Sequence, residues 1–373
     1  QVDTLAESVI RRYFQQQGIP TDYPAQCYQG EYVSDLARKL KIDKLKLKDM
    51  TDIRDRIRGR ILETMVKELQ RVVAKKLKIT FDSWFCESTL YTKQLNIKAL
   101  EVLKSHDLLY QKDDATWFRT TAYGDDKDRV IIKSDGTNAY IMADVALRYY
   151  RFAMRGFDRE ILFLGADHHG FESRLQAAMS ALGYAKQLHI EFLQLVRLMK
   201  DGHEVKMSKR AGTYVTLEEV VDEVGLDVAR FFFLMHRADT HMDFDLTLAK
   251  EKSDKNPVFY VQYAHARISS ILKKVGKLPP VPSKSAPHTS ELNLVKTLLQ
   301  FPIIINDVAR SYETQKLPFY AIELATKFHE FYTNCRVIDG DKVWLHRLDL
   351  VKATQLVLQR ALKVMGVTAP EKM

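Results

Sequence analysis

The sequence contains no run of eighteen apolar residues, and its opening does not place a basic segment before an apolar one. A helix needs about twenty mainly apolar residues to cross a bilayer, and a secretory signal needs that basic-to-apolar order. A cytoplasmic protein with no membrane partner is therefore expected. Cysteine is scarce: Cys27, Cys86 and Cys335 stand apart, without paired spacing. That excludes a disulfide framework and a four-cysteine zinc site, and leaves buried reduced thiols as the expectation. No internal repeat is present. No convincing strand precedes Ile79, so the strand, glycine-rich turn and phosphate-holding helix that normally open a doubly wound domain are missing from the start.

With 373 residues, 46% hydrophobic and 28% charged, the chain has room for two or three domains, each with its own core. The net charge of +9 is unevenly placed, since the residues from Glu251 onward carry 18 Lys and Arg against 11 Asp and Glu. A basic terminal third points to a polyanionic partner, nucleic acid before membrane.

Leu5, Val9 and Tyr13 predict a helix over 3–17, closed by Gly18 to Pro20. A second is expected over 31–40, and a long amphipathic one over 52–76, with Ile53, Ile57, Met65, Leu69 and Val72 as its stripe. From about 78 the pattern turns α/β. KITFDSW reads as a strand, 94–105 as a helix, and the polar segment around Gly124 as a hairpin or insertion. DRVIIKSDGTNAYIMAD (128–144) reads as a strand, the Asp135-Gly136 turn and a second extended run, with a helix to Met154. EILFLGADHHGFESRLQAAMSALG is the clearest unit: a strand over 160–164, Gly165, and a helix to about Leu182. HIEFLQLVRLM supplies one more strand, Thr216 and Glu219 form a capping box for a helix over 217–224, and LDVARFFFLMH begins another. Residues 276–290 form a Pro/Ser-rich linker, followed by helices near 291–312, 318–336 and 345–366. Leu348, Val351, Leu358, Leu362 and Met365 give the last helix one apolar face, as an antiparallel bundle requires.

Three groups of residues could carry chemistry. HEVKMSKRAGT (203–213) sets Lys206, Lys209 and Arg210 around Met207 and Ser208, between Gly202 and Gly212. Such a loop can clamp a polyphosphate as charge develops, and it can equally be a solvated basic loop. Glu87 and Asp144 are expected just beyond extended runs, with Tyr140 close to Asp144. Two carboxylates so placed could hold a guanidinium, although surface acids beside a half-buried tyrosine would read the same. Asp167, His168 and His169 follow a strand end, where open α/β sheets bind ligands. All three are metal-ligand types, but neighbours in sequence rarely aim at one ion.

Taken together these stretches resemble the bacterial-type arginyl-tRNA synthetases. KSDGTNAYIMAD, GADHHG, VKMSKRAG, GLDVARFFFLMHRADTHMDFD, NPVFYVQYAHAR and LVKATQLVLQRALKVMGVTAPEKM carry the resemblance, spread over almost the whole chain. It implies an α/β Rossmann-type class I catalytic domain over 1–250, with a helical insertion at about 1–76 and the signature loop at 203–213. An all-α DALR anticodon-binding domain over 251–373 would follow. The implied activity is ATP-dependent formation of arginyl-adenylate and transfer to the terminal adenosine of tRNA(Arg). Mg2+ would accompany ATP, with no protein-bound metal, and the chain would be a monomer. By the same resemblance Lys206 and Lys209 act on the ATP phosphates; Glu87, Tyr140, Asp144 and His168 contact arginine; and Gly165, Asp167, His169, Met207 and Ser208 lie on the ATP side. His168 matches a position that is glutamine in some relatives.

One departure is large. The second class signature, His-x-Gly-His, occurs nowhere in residues 1–373. Together with the missing initiator methionine, this sets the expectation of a fragment that starts inside the catalytic domain and lacks the family's N-terminal tRNA-binding domain. Competing readings are another class I synthetase, such as the cysteinyl or methionyl enzyme, a non-catalytic RNA-binding module, and a metal hydrolase built on Asp167, His168 and His169. Each lost transition-state donor costs on the order of 100- to 1000-fold in rate. Arginine-dependent ATP–pyrophosphate exchange by residues 1–373, with tRNA present, is accordingly expected to run orders of magnitude below that of a complete ligase. A comparable rate would overturn the fragment reading.

Overall fold

The structure, a computed structural model, describes residues 2–39, 50–205, 215–276, 278–282 and 286–373, the side chains of 50–57 and 280 excepted. The chain divides into two compact units: Gln1–Thr80, Arg197–Arg237 and Asp243–Met373 form the first, Phe81–Val196 and Ala238–Met242 the second.

The first unit opens with helices α1 (Val2–Gln16), α2 (Glu31–Lys39) and α3 (Met50–Lys75). Leu5, Val9, Ile10 and Phe14 recur at helical spacing on α1 and pack with Val33, Leu36 and Ile61 in one core. Gly18, at φ 75°, stops α1 and lets the Ile19 N–H return to the Phe14 carbonyl at 3.0 Å. On α3 the stripe differs from expectation. Ile61 and Met65 pack on α1 and α2, whereas Leu69 is exposed, and Ile53 and Ile57 fall among the side chains outside the described set. The strand expected over KITFDSW is absent as well. The Ile79 N–H is spent on the Val73 carbonyl (3.1 Å) at the end of α3, and Phe81 and Trp84 stand exposed against each other.

The second unit runs through α4 (Thr89–Thr92), α5 (Leu95–Ser105), an antiparallel sheet of β1 (Leu109–Lys112), β2 (Ala115–Phe118) and β3 (Arg129–Ile132), then α6 (Tyr140–Tyr149), which continues as a π turn over Tyr150–Met154. The hairpin turns at Asp113 and Asp114, at φ 52° and 57°, a left-handed pair that short polar side chains tolerate. Gly124 instead ends a 3-10 turn beyond β2. YIMAD is helix rather than a second extended run: Ile141, Met142, Val145 and Ala146 are all buried, a 3.6-residue pattern facing the core. Then come β4 (Glu160–Gly165), a 3-10 turn over Ala166–Phe171, α7 (Glu172–Ala181) and β5 (Leu188–Leu193), which pairs with β4 in parallel from Glu160↔Leu188 to Gly165↔Leu193. This β4-α7-β5 crossover is the α/β signature of the unit. Cys86 is exposed, against the expectation for it, while Cys27 and Cys335 are buried.

HIEFLQLVRLM makes two strands, because pairing with β4 ends at Leu193 and β6 (Val196–Lys200) turns to β7 (His203–Glu204). Next come α8 (Leu217–Val224), capped by the Thr216–Glu219 box, α9 (Leu226–Leu234), β8 (Met242–Asp245) and α10 (Leu246–Lys250). The bundle is built from α11 (Pro257–Val275), α12 (Thr289–Ser311), α13 (Lys316–Asn334) and α14 (Leu345–Val364), so a helix before the linker joins the three expected after it. Buried Asn256 starts α11: its side chain accepts from the Val258 N–H at 3.1 Å and donates to the Ala249 and Glu251 carbonyls, with Pro257 in the first turn. The linker is partly structured, since β9 (Pro280–Val281) lies parallel to β11 (Lys342–Trp344), itself paired with β10 (Ile338–Asp339). All five residues of the expected α14 face are buried.

Glu291 ties this bundle together. Its carboxylate accepts from the His288 N–H and from Arg347 Nε on α14, each at 2.6 Å. Burial opposes its ionisation, but the His288 N–H and Arg347 outweigh burial and hold it below the usual carboxylate range. Its contribution to stability is thus complete above the unfolded value near 4.5 and is lost as pH falls through the lower folded value. Glu291→Gln keeps the cap but strands the Arg347 charge. Urea unfolding at pH 7 should report a loss on the order of 3 kcal/mol, and one that shrinks in acid; an unchanged midpoint at both pH values would contradict it.

Candidate functional site

The second unit brings most of the expected site residues to one end of β4. Gly165 closes the strand in an ordinary extended conformation, and a Cβ there would meet only the exposed Asp167 carboxylate, at 2.6 Å from Oδ1, which can swing away. After it His168 Nε2 stands 3.7 Å from Asp167 Oδ2, while the two imidazoles take different ring partners. Asp167 is exposed, His168 lies edge-on to Phe171 with ring centroids 5.0 Å apart, and His169 stacks on Phe192 of β5 at 3.9 Å. Among the described residues no three His, Cys, Asp or Glu side chains come together as a metal site would need.

Glu87 sits exposed in the turn before α4, on the wall of a cavity of about 470 Å³ that Phe81, Trp84, Phe85 and Arg151 also line. Asp144 is on α6, with a side chain 30% exposed, and it is already engaged: Arg148 Nη1 donates to Oδ1 at 3.1 Å, and Arg174 Nη2 on α7 stands 3.7 Å from Oδ2. Arg148 is almost wholly buried, with Glu160 3.5 Å away as its second partner, and Arg151 shares that carboxylate. Tyr140, at the first turn of α6, is 89% exposed.

Sequence reasoning missed Tyr91 of α4. Its phenol is pushed above the usual range by burial and then by the charges of Glu87 and Asp144, so both carboxylates act on one ring. The available signal was Tyr91 four residues after Glu87, one helical turn along. It also missed Arg148 and Arg174. Lys206, Met207, Ser208 and Lys209 lie outside the described residues.

A second, chemically opposite surface lies on the bundle. Tyr263, Arg267 and Lys274 of α11, Tyr332 of α13, Arg336 and Lys372 line a cavity of about 930 Å³. The Arg267 guanidinium lies 4.9 Å from the Tyr263 ring centre and 5.0 Å from that of Tyr332, and its Nη2 donates to Tyr263 Oη at 3.0 Å. Behind them His329 packs on Tyr260, its titration held below the usual range by burial and then by Arg267.

Residues 21–244 match the family described as tRNA synthetases class I (R), catalytic domain, and residues 261–373 match the DALR anticodon binding domain. The arginine–tRNA ligase of Staphylococcus carnosus is 42% identical over 383 residues, covering all of this chain and 69% of the relative. That of Syntrophotalea carbinolica is 41% identical over 393 residues with the same coverage. The crystal structure of an arginyl-tRNA synthetase from Campylobacter jejuni superposes with a TM-score of 0.87 at 31% identity, covering the whole of this chain and 82% of that one. A carboxylate-lined α/β unit, a basic aromatic face on a helical bundle and relatives of this identity together make the chain a member of the arginine–tRNA ligase family, with a class I catalytic region followed by an all-α DALR domain.

Proposed function

We propose that the chain serves ATP-dependent activation of L-arginine to arginyl-adenylate and transfer of arginine to the 3'-terminal adenosine of tRNA(Arg). The observation that carries this reading is the pair Glu87 and Asp144: Glu87 lies in the turn that opens α4, on the wall of a cavity, and Asp144 lies on α6, the helix on which α4 packs. Two carboxylates suit a planar cation, whereas lysine presents a point charge that cannot meet both in the same geometry. Tyr140 and His168 complete the arginine side in this proposal. Gly165, Asp167 and His169 face ATP, with the stacked ring of His169 as a flat surface for a base.

Lys206 and Lys209, on a loop with Met207 and Ser208, are proposed to neutralise charge on the transferring phosphates, and Mg2+ enters with ATP as part of the substrate. Residues 1–250 form the proposed catalytic domain and 251–373 the proposed tRNA-reading domain, in a cytoplasmic monomer. The residues present contain no His-x-Gly-His, and no residue is assigned to that part of the phosphate site.

Steady-state kinetics with arginine and ATP varied separately test this assignment. Removing one partner of a desolvated charged pair costs about 3–5 kcal/mol. In a complete ligase Asp144→Ala and Glu87→Ala should then raise the arginine requirement by about two to three orders of magnitude and leave that for ATP nearly unchanged. Lys209→Ala should lower kcat with little effect on arginine, because its contact strengthens only as charge builds on the phosphates. Acidic variants that lost ATP affinity and kept arginine affinity would sink the assignment.

The basic aromatic cavity of the bundle supports RNA contact through stacking and phosphate pairing. Arg267→Ala should weaken tRNA binding about tenfold and make the slope of log K against log salt shallower by about one. An unchanged slope would separate Arg267 from the phosphates.

A further inference from the structure

Arg174 makes no sense as an ordinary structural ion pair. It is 15% exposed, yet its Nε and Nη2 are buried without a hydrogen-bond partner among the described residues. Its guanidinium lies flat over Phe171, 3.9 Å from the ring centre, with Nη2 3.7 Å from Asp144 Oδ2, beyond hydrogen-bond range. Burial pushes its own titration down, opposed by the Asp144 charge. Arg148 leaves only its Nε without such a partner, whereas Arg174 leaves both Nε and Nη2, so its charge is held with little hydrogen bonding in return. On the other side of the same carboxylate, Arg148 grips Oδ1 at 3.1 Å from a position braced by Glu160.

We propose that Arg174 is a positioning residue for Asp144: with Arg148 on the opposite oxygen, it fixes the plane of the carboxylate so that a planar guanidinium is accepted and a point-like ammonium is not. The inference rests on the reading of Asp144 as an arginine ligand given above. A carboxylate that swings freely serves either cation, whereas one held by guanidinia from two helices offers its free edge in one orientation only. Selectivity between arginine and lysine, rather than affinity for cations in general, is therefore what Arg174 supplies.

The test is equilibrium binding of L-arginine and L-lysine to the chain by calorimetry, for the wild type and the Arg174→Gln, Arg174→Lys and Asp144→Asn variants. Arg174→Gln should weaken arginine about tenfold and leave lysine within about twofold, so the preference falls about tenfold. Arg174→Lys, which keeps the charge over Phe171, should recover arginine binding to within about threefold. Should Arg174→Gln fail to fold, Phe171→Leu, which removes the seat of the guanidinium, is expected to lower the same preference. Equal losses for both amino acids, or tighter binding of both, would overturn the proposal. If Asp144→Asn binds arginine like the wild type, the assignment of Asp144 itself is wrong; if it loses binding while Arg174→Gln keeps the preference, positioning alone is wrong.

Discussion

Desolvated guanidinium groups set the terms on which the second unit holds together. Arg148 is the largest fully buried side chain among the described residues, and a buried guanidinium costs several kcal/mol unless carboxylates meet it. Asp144 of α6 and Glu160 at the start of β4 do so, and Arg151 on the following turn shares Glu160. Helix α6 and strand β4 are thereby locked by charge as well as by packing. A second pair, Asp125 with Arg129, lies against Ser173 of α7, whose hydroxyl donates to Asp125 at 3.0 Å. Asp144 therefore has two duties. The carboxylate proposed for the substrate is also the one that keeps Arg148 paired, which limits what can replace it.

The elements read correctly from sequence are those whose period is long and whose ends are chemically marked. The helices of the bundle, α1 with its Gly18 stop, and α8 with the Thr216–Glu219 box belong here, since caps and 3.6-residue burial are properties of neighbouring residues. The misreadings come where neighbours in space decide. Tyr140 to Asp144 look extended because aromatic and branched residues follow a turn, but Ile141 and Met142 have a core to enter only as helix. KITFDSW has the residues of a strand, while its first backbone donors go to the end of α3. Strands β9 to β11 are two or three residues long, too short for any period to show.

The candidate site divides along the same line. Glu87, Asp144 and the Asp167 turn were legible as residue types, and the resemblance gave them roles, but only the Asp167 turn follows a strand end as expected: among the described residues no strand precedes Glu87, and Asp144 lies inside α6. Their surroundings were not legible, because Arg174 reaches Asp144 from a helix thirty positions on, and Tyr91 belongs to a helix of only four residues. The Asp144–Arg148 pair was the exception, an i, i+4 spacing that reads directly from sequence. Charge is thus arranged differently in the two units: Asp144 and Glu160 gather around Arg148 in the second, and Arg267 of the bundle is seated on Tyr263 and Tyr332. On the bundle the aromatic faces lend direction to the Arg267 charge.

The Asp167-His168-His169 turn shows why donor types alone do not make a metal centre. A tetrahedral ion needs side chains that converge, with protein–metal distances near 2 Å. Here the backbone folds into a 3-10 turn in which the two imidazoles take separate ring partners, although His168 Nε2 stands 3.7 Å from Asp167 Oδ2. Aromatic partners then hold that separation: Phe171 takes the edge of His168, Phe192 takes the face of His169, and Asp167 turns back beside Gly165. Pulling both imidazoles onto one ion would break both ring contacts, each worth about 0.5–1.5 kcal/mol, and expose Phe192 on β5. The arrangement instead leaves a flat ring and an exposed carboxylate at the carboxyl end of a parallel strand pair, which is where an α/β sheet offers its binding surface.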